Sequence, residues 1–147
     1  GIPSEMQIQI AQQLEKKGFV LQQGKMATEK CGVVPVRTDI KDLNGDGKSE
    51  VFMVIGNACT SGAIGSTLYL FTQEADGKVQ RHFGFSATDY ELIPSKVAEN
   101  PWPAVLVKGT GDCLPIWGYR GGRYGFDHLY ETKKGACYVP QSDNVGG

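Results

Sequence analysis

Nine residues do most to limit what this chain can become: Asp42-Leu43-Asn44-Gly45-Asp46-Gly47-Lys48-Ser49-Glu50. Oxygen-bearing side chains alternate along it, and a glycine stands where a loop must turn sharply. Calcium takes roughly six to eight oxygen ligands, and this spacing offers Asp42, Asn44, Asp46 and Glu50 together with the Lys48 carbonyl. A helix-loop-helix site would carry its bidentate carboxylate at the twelfth position, which here is Met53. The flanks, Val33 to Ile40 and Val51 to Ile55, are strand-like. The stretch therefore reads as the turn of a β-hairpin, with its last acidic residue moved up to Glu50. Asp-Gly and Asn-Gly pairs make tight turns without metal, so the hairpin is expected whether or not calcium binds.

The rest of the chain has the grammar of a β-rich protein. Its 147 residues suit one domain, 1–147, and its 20 glycines punctuate short β-branched and aromatic runs. The fold class expected is mainly β (α+β), with antiparallel meanders and one N-terminal amphipathic helix. A net charge of −1 gives no electrostatic footprint for nucleic acid. Val51 to Ile55, the longest aliphatic-aromatic run, is too short for membrane insertion. Gly1-Ile2-Pro3 reads as a processed or engineered start.

Residues 4–17 read as the helix, with Ser4 as N-cap, Gln7 in the capping-box position and Gly18 at the end. Met6, Ile10 and Leu14 fall on one face, beside Ala11. A polar turn is expected from Gln22 to Lys30. Strands follow over 67–71, 79–85, 90–93 and 104–107, and Pro94, Pro101 and Pro103 bar a central strand between the last two. A pattern then repeats. Strand, small-residue loop with a cysteine, strand, glycine turn and strand occur once within 31–85 and again within 104–138. From Val139 the chain is a polar tail, 139–147.

Cysteine usage points to export. Cys31, Cys59, Cys113 and Cys137 are widely spaced and far from His82 and His128, unlike the close ligand pairs of zinc sites. Two disulfides in an oxidising compartment are expected. Sequence leaves three pairings open; stacking of the two repeats would bring equivalent cysteines together, favouring Cys59–Cys113 and Cys31–Cys137.

No Gly-x-Ser-x-Gly elbow is present, both histidines read as strand-surface residues, and no carboxylate pair stands out, so no enzyme is expected. Three loops are instead built from small, hydroxylated residues: 60–66, 84–88 and 109–112. Held stiff by a sheet and disulfides, such loops lower the entropy cost of binding a protein partner. Phe83, Phe85, Tyr90, Trp102, Trp117, Tyr119 and Tyr124 read mostly as core, with Phe85 as the one expected on the surface.

The helix, the Asp-Leu-Asn-Gly-Asp-Gly-Lys-x-Glu hairpin, the Gly56-Asn57-Ala58-Cys59 loop and the Leu68-Tyr69-Leu70-Phe71 strand together carry a resemblance. Loosely from Ser4 to Tyr138, the chain resembles the periplasmic immunity proteins that protect Gram-negative bacteria from peptidoglycan amidases delivered by type VI secretion. The acidic loop alone is also similar to D-x-N-x-D-G-x-x-E loops of β-propeller-type and other extracellular β repeats. The first resemblance implies a non-catalytic periplasmic protein that occludes a cell-wall hydrolase. A protruding loop would plug the enzyme's Cys-His cleft, with a serine hydroxyl against the catalytic histidine. Ser86, with Gly84, Phe85 and Thr88, is the first choice for that plug; the 60–66 loop, with Ser61 and Ser66, is the second. The alternatives are a calcium-stabilised extracellular adhesion or ligand-binding β module, and a lysozyme inhibitor.

Overall fold

The computed structural model describes residues 1–138, so the tail expected over 139–147 lies outside the described residues. Helix α1 spans Ser4–Lys16 and buries Met6, Ile10 and Leu14. Its entry differs from the expected cap. Pro3 is the N-cap and offers no side-chain bond, while Ser4 Oγ turns to Glu5 and Gln7 Nε2 donates to the Ile2 carbonyl (2.9 Å). A proline just ahead of the first turn suits its fixed φ and missing N–H.

The expected polar turn over 22–30 is instead mostly sheet. β1 (Val20–Gln22) and β2 (Lys25–Thr28) form a hairpin, and β3 (Gly32–Val33) pairs on β2. The hairpin closes through Gln23 and Gly24, both at positive φ (52° and 79°). That is the hand of turn whose twist matches antiparallel strands, and Gly24 adopts it without a Cβ clash.

The second sheet holds β4 (Val36–Lys41), β5 (Glu50–Ile55), β6 (Thr67–Gln73) and β7 (Val79–Arg81), with the short β8 (Phe85–Ser86) also paired to β6. Between β5 and β6 lie α2 (Ala58–Ser61) and a 3-10 turn at Gly62–Ile64. The strand expected over 33–40 breaks at Val34-Pro35. Proline has no N–H for a ladder, and its carbonyl accepts from Gly56 N instead (2.9 Å). β4 and β5 pair from Val36↔Ile55 to Lys41↔Glu50, which makes the acidic stretch a hairpin connection. The third sheet is another antiparallel meander: β9 (Asp89–Ile93), β10 (Ala104–Lys108), β11 (Cys113–Arg120) and β12 (Arg123–Glu131). The fold is thus mainly β with one long helix.

β5 shows how the layers assemble. Successive strand side chains point to opposite faces. Val51, Met53 and Ile55 pack with Met6, Ile10, Leu14, Phe19 and Met26 on the helix side. Phe52 joins Leu68, Leu70, Val105, Val107 and Tyr124 between the two large sheets. A strand covered on both faces must be apolar throughout, which is why Val51 to Ile55 reads as an unbroken run.

The disulfides overturn the expected pairing. Cys31 bonds Cys59, and Cys113 bonds Cys137, leaving no free cysteine. Cys59 belongs to α2 and meets the turn after β2. Cys113 lies opposite Glu131 on β12, where the chain turns back and brings Cys137 alongside. Each bridge therefore closes its own half of the molecule instead of joining the halves. Two structural disulfides fit an exported protein in an oxidising compartment. No helix among the described residues is long and apolar enough to cross a membrane.

Candidate functional site

The three small-residue loops meet at one end of the large sheets. Asn57 organises the first: its side chain accepts from Cys59 N and Thr60 N (3.0 and 3.3 Å), and Thr60 Oγ1 accepts from Asn57 N (2.9 Å). Both partners of a capping box are thus satisfied in a helix of one turn. A hydroxyl chain continues from Thr60 to Ser61 (3.0 Å) and from Ser61 to Thr67 (2.8 Å). Ser66 Oγ donates to the Ala87 carbonyl (2.6 Å), and Ala87 N donates to the Ser66 carbonyl (3.0 Å). Ser86 Oγ reaches the Ser61 carbonyl at 3.3 Å, and Thr88 N donates to the Lys108 carbonyl (2.8 Å). From the third loop, Gly109 lies beside Ile64, whose Cδ1 an added Cβ would meet at an ordinary contact distance of 3.6 Å.

The candidate residues divide by exposure. Gly84, Ser86 and Thr88 are exposed on the rim, whereas Ser61 and Ser66 are half-buried with their hydroxyls committed inward. Ser61 and Ser66 hold the rim; Ser86 and Thr88 present it. Phe85 departs from expectation, because its ring stacks on Trp117 (5.4 Å between centroids) and meets Phe83 (5.3 Å). That aromatic packing draws it into the core edge instead of leaving it on the surface.

The acidic loop lies at the opposite end of β5, about 20 Å of strand away. Asp42 accepts the N–H groups of Gly45 (2.9 Å), Asp46 (3.2 Å) and Gly47 (2.9 Å), and Asp46 accepts that of Lys48 (2.8 Å). Asn44 bonds Asp46 at 3.2 Å. Glu50 is the unusual member: it is 3 % exposed and accepts the Leu43 N–H at 2.7 Å. Burial, then the charges of Asp46 and Asp42, push its carboxyl up to about 7. Among the described residues no group of three His, Cys, Asp or Glu side chains already converges as a metal cage. The donor set is nevertheless all hard oxygen, as calcium requires, and a cation would offset both the burial of the Glu50 charge and its repulsion by Asp46 and Asp42.

The histidines do not share an environment. His82 is not a strand-surface residue. Its Nε2 meets Thr72 Oγ1 at 2.7 Å, its Nδ1 accepts Tyr124 N at 3.3 Å, and burial followed by Arg123 lowers its pKa to about 4. A neutral ring thereby links the two large sheets, a role invisible in the local sequence. His128 is exposed and pairs with Asp127 (2.8 Å), which also meets Arg120 (3.2 Å). This pair borders a hollow of about 360 Å³ that Ser95 also lines. Ser95 Oγ bonds the Val97 backbone, and no hydroxyl or thiol among the described residues hydrogen-bonds the His128 ring.

Comparison with protein-family models, curated proteins and solved structures returns no match. The functional reading therefore rests on the chain's own residues.

Proposed function

We propose that this chain is a periplasmic immunity protein that binds a peptidoglycan amidase through the hydroxyl-bearing rim and occludes its active site without chemistry of its own. The observation behind this reading is the convergence of three separate loops on one rim, with Ser86 and Thr88 exposed on it. The rim is stiffened by the Asn57 cap, the Ser66–Ala87 bonds and the Cys31–Cys59 bridge. A surface ordered before contact loses little entropy on binding, as an inhibitor that must outcompete substrate requires. Calcium, in this reading, seats in the loop of Asp42, Asn44, Asp46, the Lys48 carbonyl and Glu50. It would stiffen the far end of the β4–β5 hairpin without touching the partner.

The test is direct binding of periplasmic amidases to the disulfide-bonded protein, followed by Ser86→Trp. A bulky ring on an exposed rim position should cost at least about 2 kcal/mol of affinity, roughly thirtyfold, with melting unchanged. Unchanged affinity would move the interface away from β8, and absence of amidase binding would refute the proposal. An adhesion module that depends on calcium would instead lose its partner on chelation, whereas a disulfide-held inhibitor keeps it.

A further inference from the structure

β4 ends the second sheet, paired to β5 on one side and, among the described residues, to no strand on the other. Which of its backbone groups face outward follows from Pro35, whose carbonyl accepts from Gly56 N (2.9 Å). The ladder runs on from that pair through Val36↔Ile55. In an antiparallel pair, residues that bond the neighbouring strand alternate with residues that do not. Arg37, Asp39 and Lys41 therefore turn toward β5, and Val36, Thr38 and Ile40 turn their N–H and C=O groups away from it. Those outward groups make no hydrogen bond among the described residues. The longer edge strand β12 is interrupted by a register shift opposite Ile116 and Trp117, the kind of bulge that twists an edge away from new partners. β4 is unbroken across its six residues.

The side chains of this edge complement themselves, an observation independent of its open backbone. Val36, Thr38 and Ile40 lie on the helix side. The first two line a groove of about 550 Å³ together with Leu14, Leu21 and Met53, and Ile40 packs on the helix-side core. Val36 is 43 % exposed. Arg37 and Asp39 lie on the other side, where Arg37 meets Asp89 (2.9 Å) and Asp39 accepts the Tyr90 hydroxyl (2.7 Å). Turning a second β4 about a two-fold axis at Thr38 sets Arg37 opposite Asp39, Val36 opposite Ile40, and Thr38 opposite itself. Charge meets opposite charge and apolar meets apolar, as cross-strand pairs require. The same register brings the outward backbone groups of Val36, Thr38 and Ile40 face to face. A two-residue slip either way would set Arg37 against Arg37 or Asp39 against Asp39.

We propose that the chain binds a second copy of itself through β4, edge to edge and antiparallel about Thr38, so that one continuous sheet crosses both copies. A contact of this kind uses the same patch on both sides, so it closes at two and leaves no free β4 edge. Pairing satisfies the outward N–H and C=O groups and covers Val36 in each copy. One short strand pair is small beside a standard interface, so the dimer should be weak, with a Kd on the order of 100 µM. No residue of the hydroxyl rim belongs to β4. Self-association and amidase binding are therefore separate measurements, and failure of one leaves the other standing.

Sedimentation equilibrium of the disulfide-bonded protein should show a reversible monomer–dimer step between about 5 and 500 µM. Hydrogen exchange should slow with rising concentration at Val36, Thr38 and Ile40, and stay unchanged at Arg37 and Asp39, whose N–H groups already bond β5. Thr38→Pro removes an N–H that the native ladder does not use, and should weaken association at least about tenfold with little change in melting. The charge pair supplies the decisive arm. Arg37→Glu and Asp39→Lys each place like charges opposite one another, so each variant alone should stay monomeric. Mixed in equal amounts they should dimerise again, because every charged pair across the mixed edge is then of opposite sign. That arm decides whether or not Thr38→Pro folds. A monomer throughout the concentration range, association that survives Thr38→Pro, or charge variants that stay apart when mixed would overturn the proposal.

Discussion

The two four-stranded meanders, β4–β7 and β9–β12, share a plan and differ in what covers them. Each is antiparallel throughout, and each half carries one disulfide. The first is covered on both faces, by α1 with the small sheet and by the second meander. The second has a buried inner face and an outer face that holds only the small cluster of Leu106, Leu114 and Ile116. Similar strand patterns therefore yield a central layer in one case and an outer wall in the other. Stability should concentrate in the first meander, on which two of the rim's three loops are built.

Truncating one residue of each kind tests this most strongly. Phe52 is fully buried and its ring stacks on Tyr90 at 3.9 Å. Phe52→Ala should cost about 3–5 kcal/mol, because it opens a cavity between two walls that cannot both collapse. Leu106, 4 % exposed on the outer face, should cost about 2 kcal/mol as Leu106→Ala, near the low end for such changes. Denaturant unfolding of both variants gives the comparison. Equal losses would mean that the outer wall is as tightly constrained as the centre.

The disulfides come next. They span 28 and 24 residues, so loop entropy gives both about 3.5 kcal/mol. Replacing Cys31 and Cys59 by serine should therefore lower the melting temperature about as much as replacing Cys113 and Cys137. The functional effect should differ, because only the Cys31–Cys59 bridge holds α2 at the rim. Partner affinity should fall with the first pair removed and persist with the second. Equal loss of affinity would place the interface elsewhere.

What was legible in the sequence follows the range of the forces involved. The Met6, Ile10, Leu14 stripe and the Val51–Ile55 run report directly on which faces are covered, so the helix and the central strand could be read from spacing. The acidic hairpin was legible because its turn residues are local. The Gln23-Gly24 hairpin was missed because Gln is an uncommon partner for glycine in such a turn. The cysteine pairing went wrong because the likeness of the two meanders says nothing about which way Cys59 faces. The union of the three loops was not foreseen, and neither was the neutral His82 between sheets. Both depend on contacts across long separations, such as Ser66 to Ala87 and His82 to Tyr124.

The smallest expected effect, and the one that best separates the two ends of the first meander, is in pH. Glu50 has a folded pKa raised to about 7 by burial and then by Asp46 and Asp42. Its stabilising contribution is complete below the unfolded carboxyl value near 4.5 and is lost as pH rises through about 7. His82 has the opposite sign: lowered to about 4 by burial and then by Arg123, it contributes fully above the unfolded value near 6.5 and is lost as pH falls through about 4. Between those unfolded values the two slopes oppose each other. His82 offsets more than half of the Glu50 loss above pH 6, so metal-free protein should melt only about one to two degrees lower at pH 8 than at pH 6. Glu50→Gln should abolish that alkaline decline. Calcium should raise the melting temperature of the unmodified protein at pH 8, where Glu50 is ionised, and have little effect at pH 5, where it holds its proton. An alkaline decline that survives Glu50→Gln would locate its cause elsewhere. A calcium effect of equal size at both pH values would mean that the cation binds without drawing on the buried carboxylate.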